Sequence, residues 1–197
     1  MVFGLWKRRK DMTPYAFYQS VMDQSRQPIF FEAWGVPDTI GGRFDTLIAH
    51  AILVFRRLKR IEGARAEEAA ARSQAFSDLM FKDLDRALRD TGVSDRNVPK
   101  RLKTLATAYL GRGQAFGDAL DANDQDALVD AVERNAGGIV FGADKASAED
   151  EAEPYAVDAL AFAKYLKAAD QALIDQDDET VLSGTLAWPA HPDQAAA

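Results

Sequence analysis

Ile40-Gly41-Gly42-Arg43-Phe44-Asp45-Thr46-Leu47-Ile48-Ala49-His50-Ala51-Ile52-Leu53-Val54-Phe55-Arg56-Arg57-Leu58-Lys59-Arg60-Ile61 is the stretch on which the fold turns. Ile40, Phe44, Leu47, Ile48, Ala51, Ile52, Phe55, Leu58 and Ile61 recur at intervals of three and four, the period of one helical face, and Leu53 and Val54 widen that stripe around the cylinder. A helix this apolar is expected in the middle of a bundle. Asp38 or Thr39 stands where a cap belongs, and Gly63 marks a stop. Arg56, Arg57, Lys59 and Arg60 crowd the last turn, where cations complement the negative end of the helix dipole.

The period continues on both sides. Towards the N-terminus, Thr13 and Pro14 predict the start of a helix carrying Phe17, Tyr18, Val21 and Met22 to about Arg26, which Pro28 closes. The aromatic segment Ile29 to Pro37 is punctuated by Gly35 and Pro37 and reads as irregular. Towards the C-terminus a third helix presents Phe76, Met80, Leu84 and Leu88 and ends at Gly92. A fourth is expected from Ser94 or Asp95 through Leu105, Tyr109, Phe116 and Leu120, with Gly111, Gly113 and Gly117 predicting a kink or a close helix contact. A fifth begins at Asn123 or Asp124 and stops at Gly137-Gly138, and a sixth opens at Pro154, beyond an acidic linker over residues 146–153. The fold class is therefore all-α: a single compact bundle of about six helices over residues 13–180. It is flanked by a basic aromatic N-terminal tail (1–12) and a flexible C-terminal tail (181–197), from which Leu186 and Trp188 are able to dock back.

With 47% hydrophobic and 28% charged residues, the chain has enough apolar material for a real core. A net charge of −7 argues against general nucleic-acid binding, which needs a basic footprint. The lack of cysteine removes disulfides, thiolate chemistry and cysteine-held metals. No apolar run reaches the length of a membrane span. Val2, Phe3, Leu5 and Trp6 beside Lys7, Arg8, Arg9 and Lys10 are too short for an export signal, but suit contact with an anionic membrane surface.

Catalytic and cofactor patterns fail on spacing. In Gly111-Arg112-Gly113-Gln114-Ala115-Phe116-Gly117 the last glycine comes one residue too late for a dinucleotide loop, and no strand precedes it. Asp121, Asn123, Gln125 and Asp126 resemble a calcium loop, but Asp126 sits where glycine is needed and Val132 where the bidentate glutamate belongs. Of two histidines, His50 lies on an apolar helix and is expected to be a hydrogen-bonded core residue, while His191 is in the tail. Asp83 and Asp85 are two apart on a helix and cannot share a proton, whereas Asp85 and Arg89 form a favourable i, i+4 pair. No enzyme activity, metal or cofactor is expected.

Three spaced blocks, Trp34-Gly35-Val36-Pro37-Asp38-Thr39, Gly42-Arg43-Phe44-Asp45 and Arg56-Arg57-Leu58, resemble the central signature of the ubiquinol-cytochrome c chaperone family. Leu79-Met80-Phe81-Lys82-Asp83-Leu84-Asp85, Lys100-Arg101-Leu102-Lys103 and Tyr109-Leu110-Gly111-Arg112 resemble its second block, so the likeness runs from about Tyr15 to Leu120. It departs from the family pattern at Gly41-Gly42 and at Pro99. The resemblance implies an assembly chaperone that binds newly synthesised cytochrome b and assists its insertion into the ubiquinol-cytochrome c reductase complex. It also implies contact with a ribosome or a small helical partner. With no transit peptide in view, it points to a bacterial, cytoplasmic protein peripheral at the inner membrane face. An exposed apolar face is then needed, for which Phe30, Phe31, Trp34, Phe44, Ile48 and Phe55 are the candidates, with Arg43, Arg57, Lys100 and Lys103 as a polar rim or lipid-facing set. The alternative is a helical module that binds lipid at a membrane surface through its basic clusters.

Overall fold

The computed structural model describes residues 11–135 and 157–190, and every regular element in them is helical. Six helices of eleven residues or more form the body: α1 (Thr13–Ser25), α3 (Ile40–Lys59), α4 (Ala66–Asp90), α5 (Val98–Asp121), α6 (Gln125–Asn135) and α7 (Ala159–Ile174). Two five-residue helices, α2 (Pro28–Glu32) and α8 (Asp178–Leu182), complete it, with a 3-10 turn at Gly63–Arg65. The basic residues of the N-terminal tail, the stop at Gly137-Gly138, the acidic stretch 146–153, the opening at Pro154 and His191 lie outside the described residues.

Helix α3 is the axis, as its stripe predicts: it packs on α1, α4, α5 and α7, and it is buried from Phe44 to Val54. Its direction relative to its neighbours is set by polar ties. His50 meets Tyr165 and Arg57 meets Leu173, so α7 runs alongside it in the same sense. Asp45 meets Arg112 and Arg60 meets Asp121, so α5 does too. Helix α1 runs with α4, from the Asp11–Arg72 pair to Tyr18 against Asp83, and α6 bridges α5 and α7. The close contact expected of the glycines occurs at Gly117, where a Cβ would stand 3.3 Å from the Arg56 guanidinium; Gly111 faces open space.

Boundaries differ from the sequence expectation in three places. Helix α5 starts at Val98 because Arg89 holds the Asp95 carboxylate, while the amides of Asn97 and Val98 turn back on the Ser94 carbonyl. The Ile29–Pro37 segment contains a helical turn, α2, which carries Phe30 into the core. Residues 181–190 are not a free tail. Asp177 caps α8 through the Thr180 amide, Val181 and Leu182 are fully buried, and the Trp188 indole donates to the Ser20 hydroxyl at 2.9 Å.

Candidate functional site

The block from Trp34 to Asp45 is a junction that aims the start of α3. Gly35 takes φ of 70°, a left-handed conformation that costs glycine little, and turns the chain so that Trp34 and Val36 both point inward. The Thr39 side chain accepts from the Gly42 amide at 3.2 Å and caps α3, the type of contact whose loss costs about 1 kcal/mol. The Pro37 carbonyl then lies so close to Gly42 that a Cβ there would be 2.0 Å from its oxygen. Asp38 and Arg43 close the corner as a two-pronged ion pair, at 2.6 and 3.1 Å.

This corner forms one lip of a groove of about 270 Å³, between the C-terminal ends of α1 and α4 and the N-terminal end of α3. Its floor is apolar: Met22, Phe44, Leu47, Leu84 and Leu88. Arg43, Arg26, Asp83 and Thr91 edge it, and Ile40, 54% exposed, stands at its mouth. The Tyr18 hydroxyl donates to the Asp83 carboxylate across the groove, tying α1 to α4; burial, and then this hydrogen bond, push the Tyr18 phenol well above its ordinary range. The Arg43 guanidinium lies 5.9 Å from the Phe31 ring, so one arginine serves a carboxylate and an aromatic face together. A groove of this size takes a few apolar side chains from one face of a helix, the way amphipathic helices are recognised.

Beneath the floor, Asp45 and Arg112 form a buried ion pair at 2.7 Å between α3 and α5, with the guanidinium 5.9 Å from the Phe44 ring. Burial pushes the Asp45 carboxyl up to about 7 against the opposing pull of Arg112. The residues that support the groove floor are thus held by a polar tie taken out of water.

Three of the six residues expected to form an exposed apolar face lie in the core instead. Phe30, Trp34 and Ile48 are core residues, exposed by 4% or less. Phe30 packs edge-on against Trp34, His50 and Tyr165 at centroid distances of 5.2 to 5.3 Å. His50, fully buried, bonds the Thr46 carbonyl at 2.7 Å and the Tyr165 hydroxyl at 2.9 Å, as a core histidine. Phe31 and Phe55 are half-buried, and Phe55 stacks on Phe76 at 4.8 Å, away from the groove. Phe44 lies in both worlds, 3% exposed and part of the groove floor.

Of the four cations, Arg43 is at the groove and Lys100 and Lys103 are exposed on α5. Arg57 is no surface residue: it is 5% exposed and donates to the carbonyls of Leu173 and Gln176 and to Asp178 at 2.6 to 2.8 Å, binding the unpaired C-terminal end of α7. The groove residues that sequence reasoning left in the core, Met22, Leu84 and Leu88, carry no local signal that separates a groove wall from a helix seam. Ile40, an isoleucine at a helix start beside two glycines, was the one cue available.

The described residues thus form a helical bundle with an apolar groove and a charged lip. The chain belongs to the ubiquinol-cytochrome C chaperone family, whose model matches residues 32–188. It is also similar to the crystal structure of a Cbp3 homologue from Brucella abortus, with a TM-score of 0.73 and 31% identity, covering 92% of this chain and 91% of that one. None of the curated proteins matches. Among the described residues no helix is long and apolar enough to cross a membrane, and no three His, Asp or Glu side chains gather as a metal site would require.

Proposed function

We propose that this protein is an assembly chaperone for the ubiquinol-cytochrome c reductase complex, and that its client is newly synthesised cytochrome b. The groove between α1, α3 and α4 carries the reading: an apolar floor open to solvent in a helical protein of this family. Membrane helices of a client not yet joined to its partners expose apolar faces, and covering part of one prevents its association with the wrong surface. The charged lip keeps the free chaperone soluble and offers Arg43 and Arg26 to polar residues or lipid phosphates at the end of a client helix. A small helical partner or the ribosome fits the same scheme, as a second contact that brings the groove to the client during synthesis.

The test is genetic and spectroscopic. Cells lacking the protein should lose assembled cytochrome bc complex and its b-type haem absorbance, the native chain should restore both, and an Ile40→Asp variant should restore far less while accumulating to the native level. Normal complex levels in the deletion strain would dismiss the reading.

A further inference from the structure

From Arg96 to Gly117 the chain holds five cations and no carboxylate, in a protein whose net charge is −7. One of the five, Arg112, is buried against Asp45. Arg96, Lys100 and Lys103 are exposed and take part in none of the ion pairs of the described residues, although most of the arginines elsewhere do. The adjacent carboxylate, Asp95, is held by Arg89.

Lys100, Lys103, Thr107, Leu110 and Gln114 are spaced by three and four and all are exposed, so they form one stripe along α5. Leu110 is 67% exposed, more than any other large hydrophobic residue among those described. It stands two turns from Lys103, about 10 Å along the axis. We propose that this face of α5 docks on an anionic phospholipid surface, with Arg96, Lys100 and Lys103 at the phosphates and Leu110 entering the acyl boundary.

Charge complementarity selects the ligand, and Leu110 selects its source. Proteins that bind single-stranded RNA set cations beside aromatic or guanidinium planes on which bases stack. The nearest aromatic here, Tyr109, is turned inward against Phe55 and Phe81. An aliphatic side chain among lysines is instead the pattern of an interfacial helix. The rest of the acidic protein is repelled by such a membrane, and this orients the α5 face towards it. Thr91, the groove residue that caps the C-terminal end of α4, is only five residues before Arg96, a span of at most about 17 Å. Docking would therefore hold the groove beside the lipid surface.

The full-length protein is mixed with phosphatidylcholine vesicles with and without phosphatidylglycerol, at low and physiological salt, and bound protein is recovered by flotation. Binding should require phosphatidylglycerol and weaken with salt. The Arg96→Ser/Lys100→Ser/Lys103→Ser variant should bind about 100-fold more weakly, given about five-fold per cation near the surface. Since the chain has no cysteine, a polarity-sensitive dye on a Leu110→Cys variant reports its surroundings alone and should shift to the blue on these vesicles. No binding, binding unchanged in the triple variant, or no dye shift would overturn the proposal. Loss of binding to an RNA homopolymer in the triple variant, with vesicles bound by neither protein, would assign the cations to RNA and overturn it equally.

Discussion

The Pro37 carbonyl oxygen occupies the place where residue 42 would carry its Cβ, 2.0 Å from that position. Backbone meets backbone there, so neither side can turn aside, and a glycine at position 42 follows from space alone. Gly42→Ala should cost about 3 kcal/mol, at the upper end of overpacking penalties. Gly111→Ala, on the open side of α5, should stabilise by about 0.5 to 1 kcal/mol by raising helix propensity. Urea unfolding of the two variants checks both signs.

Arg57 supplies three hydrogen bonds to the end of α7 and the start of α8. Arg57→Met keeps most of the side chain's bulk and leaves the Leu173 and Gln176 carbonyls without their donor, so stability should fall by about 3 kcal/mol. The same substitution should leave the salt dependence of vesicle binding unchanged once the variant is folded, which flotation at low temperature measures.

Asp45 gives a pH dependence of defined sign. Its carboxyl has an ordinary value of 3.8 and is raised to about 7 by burial, so between those values the folded chain holds a proton that the unfolded chain has released. Its contribution to stability is thus greatest below about pH 4, declines as pH rises to about 7, and is flat above. The depressed carboxyls of Asp38, Asp85 and Asp121 work the other way, losing stability as pH falls, but they are common to native protein and Asp45→Asn. The stability of the native chain minus that of Asp45→Asn should therefore decrease from pH 4 to 7, measured by denaturant midpoints across that range.

Ile40 separates function from folding. It is 54% exposed at the groove mouth, so Ile40→Ser should change stability by no more than about 0.5 kcal/mol. Capture of cytochrome b should nevertheless drop several-fold, read from the amount that co-purifies with tagged protein of each kind.

What was legible in the sequence was whatever depended on neighbours in the chain. The α3 stripe, the Thr39 cap, the Asp85–Arg89 pair and the buried role of His50 are all readable from spacing and residue type. The aromatic core was not. Phe30 and Trp34 meet Phe162 and Tyr165, which lie far along the chain, so nothing local distinguishes them from a surface cluster. Arg57 looked like one more cation in a basic helix end, because two of its three acceptors are backbone carbonyls, those of Leu173 and Gln176, that any sequence would offer. The groove is likewise a product of distant elements: Tyr18 and Asp83, which join its walls, are 65 residues apart.

The central claim is that cytochrome b occupies the groove, and site-specific photo-crosslinking in cells making tagged cytochrome b tests it most directly. Photoreactive residues at Ile40 and Ala87, both exposed at the groove, should form an adduct with newly synthesised cytochrome b, while one at Lys164, exposed on α7, should not. Adducts of equal yield from all three positions, or none from Ile40 and Ala87 while the complex assembles normally, would contradict it.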